Sequence, residues 1–136
     1  MDDLNEGSQS ETEGKKIPFP TSSTEAMLET VPNKWPVSNY TVELIYEEFV
    51  CLCPLSNQVD CATLYIEYIP EDRLVGSKSL KRYLESYQDI KISQEAVINQ
   101  ICHDLGSLLR PRVLEVRGEF SSRDGVRIIP TARWSV

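Results

Sequence analysis

Hydrophobic and polar positions alternate over residues 40–47, placing Tyr40, Val42, Leu44 and Tyr46 on one side. A period of two predicts a half-buried strand. A second run, 62–69, puts Leu64, Ile66 and Tyr68 on one face, and Pro70 ends it. The two predict an antiparallel hairpin whose connection carries Cys53 and Asp60. The period then lengthens. Leu80, Tyr83, Leu84 and Tyr87 recur at helical spacing, with Ser77 or Ser79 as the N-cap. A second helix opens near Ser93, lines up Val97, Ile101, Leu105 and Leu108, and stops at Pro111. Two further strands are expected over 113–117 and 126–129, divided by the turn signal Ser122-Arg123-Asp124-Gly125. The order strand, strand, helix, helix, strand, strand predicts an α+β fold, a four-stranded antiparallel sheet with two helices on one face. Such a subunit has an open sheet face and exposed edges that assembly can pair.

Composition narrows the class. A chain of 136 residues supports one core. Residues 38–136 read as a single domain, preceded over 1–37 by an acidic tail and a proline-rich arm. The tail, 1–16, has few large apolar residues and is expected to be disordered. The arm, 17–37, with Pro18, Pro20, Pro32, Pro36 and Trp35, is expected to be extended and to dock by its aromatic and proline residues. A formal net charge of −7 argues against nucleic acid as a partner for the whole surface. No apolar run has the length of a membrane span, and the first residues lack a secretion-signal pattern. A cytoplasmic location is expected, in which Cys51, Cys53, Cys61 and Cys102 stay reduced.

Two stretches carry candidate chemistry. Cys53 precedes Asp60 by seven positions across a Pro-Leu-Ser-Asn-Gln loop. A strand end and a turn can bring them together as nucleophile and proton donor. The same residues also suit a buried small Cys and a turn-capping Asp. Gly76 to Tyr83 combines hydroxyls with Lys78, Lys81 and Arg82 at a helix start, which fits either a phosphate site or a solvated basic face. The cysteines lack the paired spacing of a zinc site, so no metal is expected. A Cys51–Cys53 bond would be strained. His103 and Cys102 read as structural, as do Tyr83, Tyr87 and, in the core or an interface, Trp35 and Trp134.

The order Cys-Pro-Leu-Ser-Asn-Gln-Val-Asp-Cys-Ala-Thr, then Tyr-Ile-Glu-Tyr-Ile-Pro, then Ser-Lys-Ser-Leu-Lys-Arg-Tyr resembles the NADPH-dependent 7-cyano-7-deazaguanine reductases. These are the single-domain nitrile reductases of queuosine biosynthesis. The likeness spans about Tyr40 to Trp134 and includes Ser86-Tyr87 and Asn99-Gln100-Ile101. It implies the tunnelling fold, with subunits in a homo-oligomeric ring (a pentamer or decamer) and active sites at their interfaces. Cys53 matches the family nucleophile, which forms a covalent thioimide with the nitrile carbon, and Asp60 matches the acid. Glu95 matches the carboxylate that binds the deazapurine, with Gln94 beside it. Ser77, Lys78, Ser79, Leu80 and Lys81 match the NADPH signature. Two positions depart from the pattern: Gly76 stands where the family has Glu, and Gln94 where it has His. The implied activity is reduction of 7-cyano-7-deazaguanine to its aminomethyl product, a small-molecule reaction without direct nucleic-acid or membrane binding. Two alternatives are an amidine-forming relative, in which ammonia resolves the thioimide, and a non-catalytic binding protein of the same fold.

Overall fold

The computed structural model describes residues 27–134. Its elements in chain order are β1 (Thr30–Pro32), β2 (Val42–Leu52), β3 (Val59–Ile69), β4 (Arg73–Val75), α1 (Ser77–Glu85), α2 (Gln94–Leu109), β5 (Val113–Phe120) and β6 (Thr131–Trp134). The main sheet has the order β2-β3-β5-β6, and every pairing is antiparallel. A small second sheet joins β1 to β4.

Alternation explains the inner face of β3, where Asp60, Ala62, Leu64, Ile66 and Tyr68 are buried. In β2 the alternation is interrupted. Tyr46 pairs with Leu64, but Phe49 pairs with Ala62, so β2 uses three steps where β3 uses two. This bulge inverts the pattern. Before it, Val42, Leu44 and Tyr46 are half-buried; after it, Phe49 and Cys51 are completely buried. The chain enters the site with its odd-numbered residues turned inward.

Both helices form where the spacing indicates. Leu80, Tyr83, Leu84 and Tyr87 are buried, as are Val97, Ile101 and Leu105. Ser93 caps α2, its hydroxyl accepting from the Ala96 N–H at 3.1 Å. The helix ends in a left-handed Arg110, whose N–H returns to the Gly106 carbonyl at 2.8 Å. Gly118 lets Ile98 reach the sheet, since a Cβ there would sit 2.7 Å from Ile98 Cδ1. Between the helices lies a buried polar cluster. The Tyr83 hydroxyl donates to Asp104 at 2.5 Å, and Gln100 donates to the other carboxylate oxygen at 2.9 Å.

Three expectations are corrected. Neither Ser77 nor Ser79 caps α1: its N-cap is Gly76, without a side-chain bond. Ser79 instead donates to the Gly76 carbonyl at 2.8 Å and accepts from the Glu29 N–H at 3.0 Å. The last strand is not 126–129 but Thr131–Trp134. Pro130 lacks an N–H, and the preceding segment is tied to β5 by backbone bonds from Gly118 to Pro130 (3.0 Å) and from Phe120 to Ile128 (3.4 Å) and by the Arg127 side chain, which donates to the Phe120 carbonyl at 3.3 Å, rather than by a continuous ladder. The arm, finally, docks through its backbone. β1 pairs with β4 and Leu28 is buried, while Trp35 is 64 % exposed. The expected acidic tail and the first part of the arm lie outside the described residues.

Candidate active site

Asp60 pairs directly across from Cys51, and Leu52 pairs with Val59. Cys53 is therefore the first residue past the ladder, diagonal to Asp60 and on the same inner face. Its N–H donates to the Gln58 carbonyl at 2.8 Å, and its carbonyl accepts from Asn57 at 3.1 Å. Asn57 takes the left-handed conformation this tight connection needs, with φ of 60°. The loop folds back over the sulfur. The Leu55 N–H, the Arg123 guanidinium and the Ser56 hydroxyl and N–H hydrogen-bond Cys53, and together, led by Leu55, they lower its pKa from an ordinary 9.0 to about 7. Cys53 is thus poised to give up its proton near neutral pH. Cys51, two residues away, is pushed up to about 12, chiefly by burial and then by the charge of Asp60. It remains a thiol and points its Sγ at the Ile92 carbonyl, 3.8 Å away.

Asp60 is 6 % exposed, and a buried carboxylate requires a partner. That partner is Arg123, whose guanidinium forms an ion pair and hydrogen bond with Asp60 Oδ1. Arg123 also meets Cys53, so one side chain touches both candidate reacting groups. Sequence reading assigned residue 123 only to a turn. A cation within a turn signal was the available hint, but the pairing spans 63 positions.

Glu95 and Gln94 stand at the start of α2, whose lead-in is tied to the end of β2. The Leu52 N–H donates to Ile90 and the Ile92 N–H to Leu52, each at 3.0 Å, zipping segment 90–92 onto the end of β2. This segment leads into the first turn of α2, where Glu95 is exposed and Gln94 is buried.

The proposed cofactor residues divide into two groups. Ser79 and Leu80 are 2 % and 5 % exposed, the first holding the arm and the second in the core. Ser77, Lys78 and Lys81 face solvent at the start of α1. Lys81 makes an exposed pair with Glu85 at 3.5 Å, while Lys78 makes no ion pair among the described residues. A shallow cavity of about 140 Å³ lies between β2 and α1, lined in part by Leu44, Tyr46, Ser77 and Lys81. Hydroxyl, cations and helix start beside an apolar wall fit the phosphates of a dinucleotide. Another cavity, about 260 Å³, opens around Cys61, Thr63 and Glu119 and includes neither Cys53 nor Asp60. No helix among the described residues is long and apolar enough to cross a membrane.

Comparison with known proteins adds a direct assignment. The family model described as "QueF-like protein" matches residues 59–135. An NADPH-dependent 7-cyano-7-deazaguanine reductase of Exiguobacterium sp. is 46 % identical over 116 residues, covering 85 % of this chain and 72 % of the relative. The Helicobacter pylori protein of that name is 42 % identical over 123 residues, covering 90 % of this chain and 84 % of its own. The Neisseria meningitidis serogroup B protein of that name is 42 % identical over 120 residues, covering 88 % and 76 % respectively. Among solved structures, the apo archaeosine synthase QueF-Like superposes with a TM-score of 0.64 at 24 % identity, covering 68 % of this chain and 91 % of that one. At that identity the likeness is one of fold.

Proposed function

This chain belongs to the QueF-like family that includes the NADPH-dependent 7-cyano-7-deazaguanine reductases, and on that premise we propose how its residues carry out nitrile reduction. The observation that carries the proposal is the single buried corner in which the Cys53 sulfur and the Asp60 carboxylate share a guanidinium. Cys53 attacks the electrophilic nitrile carbon through its thiolate, forming the C–S bond of a thioimide. As half of an ion pair, Asp60 begins as a carboxylate. It takes the proton of the Cys53 thiol and passes it to the nitrile nitrogen as negative charge develops there. Cys–SH plus R–C≡N gives R–C(=NH)–S–Cys, with Asp60 restored and no net proton consumed.

Glu95 is the substrate anchor, because a carboxylate accepts two coplanar bonds from the amino and ring N–H groups of a deazapurine. Gln94 can orient a ligand by hydrogen bonding but cannot relay a proton at neutral pH. Ser77, Lys78 and Lys81 hold the cofactor phosphates, while Ser79 and Leu80 support them by fixing the helix to the arm and core. NADPH, when bound, supplies the hydrides that bring the nitrile carbon to the aminomethyl level.

The outer strands β2 and β6 leave sheet edges that suit pairing between copies, consistent with a tunnelling-fold ring acting in the cytoplasm on a free base. The test is intact mass of the protein mixed with 7-cyano-7-deazaguanine, followed by NADPH. An adduct absent in Cys53→Ala, and discharged as NADPH is oxidised, supports the reductase. An adduct indifferent to NADPH but released by ammonia would replace it with amidine formation. No adduct at all would end both covalent readings.

A further inference from the structure

We propose that Arg123 is a positioning residue for the reaction, holding the sulfur of Cys53 and the carboxylate of Asp60 in one charge-balanced trio. The inference rests on the nitrile-reductase reading for its catalytic pair and adds a third residue to it.

Geometry supports the assignment first. The hairpin between β5 and β6 closes at Arg123 and Val126, which exchange backbone hydrogen bonds of 2.9 and 3.0 Å. Between them Asp124 and Gly125 have φ of 54° and 83°, the pair of positive values that defines the tightest hairpin turn. The base of the loop is fastened to β3 by the Ser121 N–H, which donates to the Cys61 carbonyl at 2.9 Å, one residue from Asp60. Arg123 is thus aimed at the site by a short, pinned turn. Its side chain is only 29 % exposed, although it sits near a hairpin tip.

Charge supports it second. Before proton transfer the trio comprises guanidinium, thiol and carboxylate; afterwards it comprises guanidinium, thiolate and carboxylic acid. Both states sum to zero, so the proton moves from sulfur to oxygen without creating net charge in a buried corner. A planar guanidinium can donate to two acceptors at once, which an ammonium at the end of a flexible chain cannot do in the same fixed geometry. Without Arg123, each state would leave one uncompensated negative charge in the buried corner.

The experiment compares wild type with Arg123→Ala, Arg123→Gln and Arg123→Lys. One readout is iodoacetamide labelling of Cys53 against pH, followed at the peptide because Cys61 is exposed and labels as well. The other is the pH profile of thioimide formation with 7-cyano-7-deazaguanine. Arg123→Ala should shift the labelling midpoint upward by about one unit, cutting Cys53 labelling at pH 7 roughly fivefold. Arg123→Lys should recover part of the labelling rate but less of the adduct rate, and added guanidinium should rescue Arg123→Ala. Thermal melts establish that each variant is folded, and Arg123→Lys keeps the charge if the alanine variant is not. A wild-type midpoint and adduct rate in folded Arg123→Ala, or full activity in the neutral Arg123→Gln, would overturn the proposal. The labelling profile requires no nitrile. A wild type that forms no adduct defeats the reductase reading and with it this role in the reaction, whereas an unshifted profile with normal adduct formation defeats the Arg123 role alone.

Discussion

Gly106 lies inside α2 and is buried, and a Cβ built on it would fall within the indole ring of Trp134. Replacing it with alanine sets two effects of opposite sign against each other. Helix propensity favours alanine over glycine in a helix interior by about 1 kcal/mol. Forcing a methyl into an occupied contact costs about 1–3 kcal/mol in typical cores. Trp134 cannot absorb the methyl by a small adjustment, because three of its ring atoms are the nearest neighbours. It must turn away, giving up its seat on α2 and the Arg110 guanidinium stacked 5.9 Å from its ring centre. With contacts this close the steric cost falls at the upper end of its range and should win, leaving Gly106→Ala less stable by up to about 2 kcal/mol. For a domain of this size each lost kcal/mol lowers Tm by roughly 4–8 °C. In a Trp134→Ala background the obstacle is gone and only propensity remains, so the same substitution should stabilise by about 1 kcal/mol. Urea unfolding of the four proteins in this cycle, followed by far-UV circular dichroism, measures both signs and their coupling. A Gly106→Ala effect of the same sign in both backgrounds would refute the reasoning. The consequence reaches the active site, because β6 anchors the far arm of the hairpin that carries Arg123.

Cys53 should label with iodoacetamide at a rate that rises with pH through a midpoint near 7, because a lowered thiol pKa makes the nucleophile appear as pH rises through that value. Cys51 and Cys102, held as thiols up to about 12 and about 11, should stay unlabelled in the folded protein; peptide mass spectra showing Cys51 modified first would contradict this. Gly76→Glu should fold normally, since φ is −71° and an added Cβ would meet Glu29 O and Ser79 Oγ at an ordinary 3.4 Å. A melt within about 0.5 kcal/mol of wild type is expected, and NADPH turnover should rise if a carboxylate there serves the cofactor. Asp104→Ala removes the acceptor shared by the Gln100 amide and the buried Tyr83 hydroxyl, which keeps its 3.0 Å bond to Tyr87, so a loss on the order of 1–3 kcal/mol is expected in urea unfolding, and a loss below about 1 kcal/mol would show the cluster to be dispensable.

Much of the fold was legible because it follows from local rules. Alternation located the first hairpin, helical spacing identified both buried helix faces, and Ser93 announced the start of α2. Asp124-Gly125 marked a turn whose positive φ values are those such residues tolerate. The family motifs also pointed to Cys53 and Asp60, which the structure brings to one corner.

What the sequence could not decide by itself was which way Cys53 faces. Counting by twos from Val42, Leu44 and Tyr46 turns residue 53 to the opposite, solvent side of the sheet. The bulge before Phe49 reverses that parity, and it exists because β2 must match β3 while burying Phe49 against Tyr87 and Phe120. The role of Ser79 was hidden in the same way, since its hydroxyl bonds a backbone 50 residues earlier. Arg123 shows the limit most plainly. Local sequence places it in a turn, and only the meeting of one hairpin tip with the end of another gives its charge a carboxylate and a sulfur to hold. Period and propensity act over a few residues, whereas burying a charge requires whatever partner the completed fold brings near.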